Sequence, residues 1–312
     1  MARIVVAERV ASEGLALLSG AGHQLLDLSG ATPDALREAV ATADALVVRS
    51  QVRVDAELIA AAPLLRVIGR AGVGTDNIDG AAASARAIAV VNAPAGNTIA
   101  AAEHTMALLL AIARNIAPAD RSMRAGAWER KALQGFELNE KSIGIVGFGR
   151  VGRAVATRAA AFGMIPLAHD PVVEAAEIIA AGATPLDLAD LLARADVVSL
   201  HAPAVRGAAP LIGAPEIALM RSSAVLINVA RGALVDERAL AAALSTGRIA
   251  GAAIDVFATE PPVDSPLLAA PRTLLTPHLG ASTSEAQVAG AVERSEEHTS
   301  ELQSLAYLVC RL

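Results

Sequence analysis

Short runs of Val, Ile and Leu alternate along this chain with longer alanine-rich segments of helical period, and that alternation demands parallel sheets covered by helices on both faces. In the first hundred residues it predicts strands at Arg3–Ala7, Gln24–Leu28, Ala45–Val48, Arg66–Gly69 and Ile88–Val91. Between them lie helical stretches such as Thr32–Thr42, where Thr32-Pro33-Asp34 has the form of a capped start with proline in the first turn. Asn97–Arg114 reads as one long helix, apolar around most of its circumference and so expected to be buried between domains or subunits. A second series of strands follows at Ser142–Gly147, Ile165–His169, Asp196–Leu200, Ala224–Val229, Ala250–Val256 and Thr273–Thr276. The expected fold is therefore α/β, with two doubly wound parallel-sheet domains, Rossmann-like or flavodoxin-like, and 312 residues suffice for two such cores.

Composition narrows the function classes. Hydrophobic residues reach 54%, but aromatics are only 2%, so the cores must be built from Leu, Ile, Val and Ala. The mean hydropathy of +0.48 raises the question of a membrane. The uncharged apolar runs, such as Met106–Ala113, fall well short of the roughly 20 residues a bilayer requires. The strand-like segment at Arg3 leaves no room for a leader, so a soluble cytoplasmic protein is expected. A net charge of −6 provides no basic footprint for nucleic acid. The single cysteine excludes a disulfide framework, and no histidine pair has metal-ligand spacing with a third ligand, so no metal is expected.

Ser142-Ile-Gly-Ile-Val-Gly147-Phe-Gly149-Arg150-Val151-Gly152 places G-x-G-x-x-G after a strand and before a helix. In this pattern Gly147 permits a tight turn, Gly149 lets the backbone approach a pyrophosphate, and Gly152 allows close helix–strand contact. The helix N-terminus offers unpaired N–H groups to the phosphates. Asp170, 18 residues beyond the third glycine, ends the next strand and is placed to hold the ribose hydroxyls. Its charge disfavours the 2′-phosphate of NADP, and Pro171-Val172-Val173 supplies no cation, so NAD is the expected cofactor. A second glycine turn, Arg70-Ala71-Gly72-Val73-Gly74, lacks a third glycine; its N–H groups and Arg70 suit a substrate anion instead.

Arg231, Glu260 and His278 fall at or just beyond the ends of the last three predicted strands, where open α/β sheets bind ligands. Hydride transfer from a secondary alcohol needs a base for the hydroxyl proton and a cation for a neighbouring carboxylate, and gains from an acid that orients the base. His278, Arg231 and Glu260 supply those three properties. The other histidines have plainer readings: His23 at the surface, His104 inside the long helix, and His169 and His201 bordering the cofactor.

These motifs together resemble the D-isomer-specific 2-hydroxyacid dehydrogenase family over about residues 3–290. The likeness includes Val48-Arg49-Ser50, Arg70-Ala-Gly-Val-Gly74-x-Asp76-Asn77, Asn92-Ala-Pro94-x-Gly96-Asn97-Thr98, Ala102-Glu-His104 and Trp128-Glu-Arg130. It continues through the Gly147 fingerprint, Asn228-Val-Ala-Arg231-Gly232, Asp255-Val-Phe-Ala-Thr-Glu260 and Thr276-Pro-His278-Leu-Gly-Ala-Ser282. The resemblance implies Arg231, Glu260 and His278 as the catalytic set. It places NAD on Gly147, Gly149, Arg150, Val151, Gly152, Asp170, Val229, Ala230, Asp255, Leu279, Gly280 and Ala281, with Val73 near the nicotinamide. Substrate contacts are implied at Arg49, Ser50, Arg70, Gly72, Gly74 and Asn97, the arginines matching positions that meet a phosphate or carboxylate. The implied domains are a substrate-binding one over 1–96 joined by a returning helix at 285–293, and an NAD-binding one over 97–284 that also makes a homodimer or homotetramer. The partner is a small 2-hydroxy acid. A hydroxypyruvate or glyoxylate reductase, or an NAD-sensing co-repressor, stays open as an alternative.

Two departures stand out. Val205 occupies the place of a threonine that can contact the cofactor in relatives. Residues Arg294 to Ser304 read as a translated sequencing-library adapter, and the chain's only tyrosine and only cysteine, Tyr307 and Cys310, lie beyond them. Residues 294–312 are therefore expected to be a non-native tail, leaving a chain less stable than one with its returning helix complete.

Overall fold

The computed structural model describes residues 1–205 and 207–292, so the tail at 294–312 lies outside the described residues. The chain forms two compact units, one from residues 1–97 with 281–292 and the other from Thr98 to Gly280.

The first unit carries β1 (Arg3–Val6), β2 (Gln24–Asp27), β3 (Ala45–Val48), β4 (Val67–Arg70) and β5 (Ala89–Asn92). All pair in parallel in the order β2-β1-β3-β4-β5, with Ile4 beside Ala45 and Val67 beside Ala45 in turn. Because helices cover both faces, β3 is buried along its whole length, and its residues alternate between two cores. Leu46 and Val48 join Val5, Val40 and Ile68 on one side, while Ala45 and Val47 join Ile4, Val6 and Leu18 on the other. The helix Pro33–Val40 starts where its sequence requires, with Thr32 Oγ1 accepting from the Ala35 N–H at 3.3 Å. Residues 284–292 are helical, and their Gly290 and Ala291 lie against Gly96 and Gly14, where a methyl group on either of those glycines would collide.

The second unit carries β6 (Ser142–Val146), β7 (Ile165–His169), β8 (Thr184–Pro185), β9 (Val197–Leu200), β10 (Val225–Asn228), β11 (Gly251–Ile254) and β12 (Thr273–Leu275). Its order is β12-β11-β10-β9-β6-β7-β8, again parallel throughout. Both units are thus doubly wound parallel α/β sheets. The β8 strand goes unseen in the sequence because it is two residues long and is defined by its pairing with Leu167 and Ala168. Val197, Val225 and Ile227 face one core while Val198, Leu200 and Leu226 face the other.

The long helix spans Thr98–Ala113. Its Ala102, Met106, Leu109 and Ala113 enter the core of the second unit itself, with Val155 and Ala159 of the helix Arg150–Ala161. Glu103 and Ala107 of the same helix are exposed. Among the described residues no single helix is long and apolar enough to cross a membrane; the pair Thr98–Ala113 and Ile116–Arg124 has the length only across a 59° bend.

Candidate active site

In the second unit the strand order reverses between β6 and β9, which opens a crevice at the carboxyl ends of those parallel strands. Gly147 sits there with φ +93°, in the left-handed region, and a methyl group on it would strike the backbone of His201 and Ala202. Gly152 lies under the Gly147 carbonyl with no room for a side chain. At Gly149 a methyl group would meet nothing, so this backbone is open to a ligand, as close pyrophosphate approach needs. The helix Arg150–Ala161 starts at Gly149 without a side-chain cap, leaving its first N–H groups available to an anion. The three glycines thus fit the dinucleotide for which their spacing is suited.

Asp170 closes the cradle. Its carboxylate accepts from the N–H groups of Phe148, Val172 and Val173 at 2.7, 2.9 and 3.2 Å. Burial works against its charge, but those donors win and hold its pKa below the ordinary carboxylate value. His169 Nδ1 lies 3.1 Å from the Leu186 carbonyl oxygen. His201 pairs with Ser199 Oγ at 2.8 Å, and burial pushes its pKa down to about 4, so the imidazole is neutral.

Three turns follow the neighbouring strands β10, β11 and β12. Asn228, fully buried, shapes the first: its amide nitrogen donates to the Arg231 carbonyl at 2.9 Å and its amide oxygen accepts from the Ala230 N–H at 3.0 Å. Arg231 Nη1 donates to the Ala230 carbonyl at 2.7 Å. Gly232 then packs directly on the Phe257–Ala258 peptide, where any side chain would overlap it. In the second turn Glu260 Oε1 accepts from the Phe257 N–H at 3.0 Å. Its other oxygen, Oε2, lies 2.7 Å from His278 Nδ1. Sequence positions 231, 260 and 278 are therefore brought together by three adjacent strands.

The charges in this cluster are mutually adjusted. The hydrogen bond to Glu260 raises the His278 pKa above its ordinary value, against burial and the nearby Arg231 cation. For Glu260, burial is the largest single influence and favours the neutral acid, but donation from His278 and Phe257 N–H outweighs it and lowers the pKa. With Nδ1 committed to Glu260, Nε2 is the nitrogen left to exchange a proton. His278 itself adopts φ +54°, unusual for a side chain with a Cβ, and is held there by its N–H bond to the Asp255 carbonyl at 2.8 Å.

Asp255 is the hidden support. Its side chain is 0% exposed. Oδ1 accepts from His104 Nε2, Thr276 Oγ1 and the Leu279 N–H at 3.1, 2.6 and 2.8 Å, while Oδ2 accepts from the Gly280 N–H at 2.9 Å. Asp255 thus fixes the 276–280 turn that carries His278. His104, expected from the sequence to pack or hydrogen-bond inside the long helix, is one of its donors.

In the first unit, Arg49 and exposed Ser50 follow β3, Arg70 ends β4, and Gly72 lies beneath the Arg70 guanidinium with φ +155°. Val73 accepts at its carbonyl from the Asn92 amide, Gly74 lies in the same turn, and Asn97 directly precedes the long helix. Among the described residues no group of three or more His, Cys, Asp or Glu could hold a metal. Val205 is exposed.

Residues 106–280 match the family model for the D-isomer specific 2-hydroxyacid dehydrogenase NAD binding domain. The chain belongs to the D-isomer specific 2-hydroxyacid dehydrogenase family. The match covers the glycine cradle, Asp170 and all three of the turns around His278, and it lies within the second unit. D-3-phosphoglycerate dehydrogenase of Mycobacterium tuberculosis is 48% identical over 284 residues, 91% of this chain and 54% of that protein. The enzyme of the same name from Archaeoglobus fulgidus is 45% identical over 287 residues, with 92% and 54% covered. The chain spans about half the length of the curated relatives it matches. Among solved structures, the TT0316 protein of Thermus thermophilus is similar over 94% of each chain, with a TM-score of 0.85 and 37% identity.

Proposed function

We propose that this chain oxidises 3-phospho-D-glycerate to 3-phosphohydroxypyruvate, the step that opens serine biosynthesis, as a cytoplasmic NAD-dependent dehydrogenase. The observation that carries the reaction type is the His278–Glu260 pair, set beside Arg231 in an NAD-binding unit. NAD would be held by Gly147, Gly149, Arg150, Val151, Gly152, Asp170, Val229, Ala230 and the 278–281 turn that Asp255 fixes. When bound it supplies the acceptor for the hydride. His278 Nε2 takes the proton of the substrate hydroxyl, and Glu260 holds the ring in position and favours the imidazolium that results. Arg231 pairs its guanidinium with the substrate carboxylate.

Support for a phosphorylated substrate comes from two arginines in the first unit, Arg49 and Arg70, at the ends of neighbouring strands. Arg49, Ser50, Arg70, Gly72, Gly74 and Asn97 form the substrate side of the reading, with residues 1–96 and 285–293 as its domain. Ile116, Met123 and Trp128 are exposed on the segment after the long helix, which suits a homodimer contact. The deciding experiment compares kcat/KM for 3-phosphoglycerate, D-lactate and glyoxylate with NAD and NADP. A preference for 3-phosphoglycerate and for NAD is expected; better turnover of glyoxylate, or equal use of NADP, overturns that part of the reading.

A pH prediction follows from the His278–Glu260 pair. Oxidation needs neutral His278, and its folded pKa is raised, so activity should be lost on the acid side through an apparent pKa above the ordinary value of about 6.5. Glu260→Gln removes the anion that favours the imidazolium, moving that acid limb down by about one pH unit or more. In the reduction direction the alkaline limb should move the same way. Profiles of kcat/KM against pH in both directions check this, and an unmoved limb contradicts the assignment.

A further inference from the structure

Glu8 follows β1, and in the first unit it is the only ionisable side chain buried among the described residues, at 8% exposure. A carboxylate placed there costs free energy unless donors surround it. Its donors all come from one loop. Oε1 accepts from the N–H groups of Arg49 and Val52 at 2.8 and 2.9 Å, and Oε2 from the N–H of Gln51 at 3.1 Å. The same loop is gripped on its carbonyl side by Asn77, whose amide nitrogen donates to the Arg49 and Val52 carbonyls at 2.9 and 2.7 Å. Residues 49–52 are thus clamped from both sides, at the carboxyl ends of β1 and β3, where the sheet order reverses and a ligand crevice forms.

We infer that Glu8 and Asn77 are positioning residues for substrate binding, which act by holding the Arg49–Ser50 loop at the geometry that meets the substrate's anionic group. The inference rests on the proposed role of Arg49. Charge-assisted acceptance by one carboxylate satisfies three N–H groups that would otherwise compete for water and let the loop open. Neither residue is read as touching the substrate. Their effect should therefore fall on affinity, and should pass through Arg49.

The test is a double-mutant cycle on the full chain. Glu8→Gln puts an amide NH₂ against at least one backbone N–H, so the KM for 3-phosphoglycerate should rise about tenfold or more, with kcat within about threefold. Glu8→Asp, which keeps the charge, should recover part of that loss. The Kd for NAD should stay parental in both. Arg49→Ala should show the same split, and Glu8→Gln added to it should cost little more, because both changes act on one contact. If Arg49→Ala raises KM but Glu8→Gln does not, or if the two penalties simply add, the clamp is refuted while the function stands. If Arg49→Ala leaves KM unchanged, the substrate reading of that loop fails and the clamp fails with it. Should Glu8→Gln not fold, Asn77→Ser carries the same expected split, and a parental KM in that folded variant overturns the inference.

Discussion

Replacing His278 with alanine is expected to cut turnover by roughly 10² to 10⁴, the usual contribution of a positioned general base. NAD should still bind, because Gly147, Gly149, Asp170 and the N-terminus of the helix Arg150–Ala161 are on other strands and contribute no bond to the imidazole. The 276–280 turn should also persist, since the Asp255 carboxylate takes its bonds from Thr276, Leu279 and Gly280 rather than from the His278 side chain. Steady-state turnover together with calorimetric NAD titration checks both halves. Near-parental turnover removes His278 from the chemistry; a large loss of NAD affinity means that the ring supports the cofactor site instead.

Asp255→Ala should produce the largest loss of stability among single changes at this site. The substitution strips the acceptor from His104 Nε2, Thr276 Oγ1 and the N–H groups of Leu279 and Gly280, in a place with no exposure of the carboxylate. A buried donor left without a partner costs about 1–3 kcal/mol, and some of the four will find water, so a total of about 3–5 kcal/mol is expected. For a unit of this size that lowers the midpoint of thermal unfolding by roughly 10 °C. Asp255→Asn keeps the shape but turns an NH₂ group toward backbone donors, so it should fall between the two. A thermal midpoint within about 2 °C of the parent in the alanine variant would show that the network is dispensable.

The two predictions concern carboxylates and imidazoles that are alike in chemistry yet take different roles in the fold. Glu260 and Asp255 are five residues apart, and either could be paired with His278 on spacing alone. The fold separates them. Glu260 lies beyond β11 in a half-exposed turn with its Oε2 on the imidazole, while Asp255 is sealed beneath with four donors. His104 and His278 divide in the same way: His104 donates to the buried acid, and His278 to the exposed one.

Much of the frame was legible beforehand because it depends on neighbours along the chain. Side chains alternate in β9 and β10 because a strand presents successive residues to opposite faces, so runs such as Val197–Leu200 announce a strand covered on both sides. Gly147 requires φ +93°, a demand of the backbone at that one turn, and its spacing from Gly149 and Gly152 marks the cradle before any contact is known. The sequence by itself thus determined two doubly wound sheets, the nucleotide turn and the three polar positions at strand ends. Tertiary structure alone decided what partners those residues take. Glu8 meets the 49–52 loop across more than forty residues, His104 meets Asp255 across 151, and β8 exists through its pairing with β7. Burial and hydrogen-bond satisfaction are set by segments distant in the chain, and no local propensity encodes them.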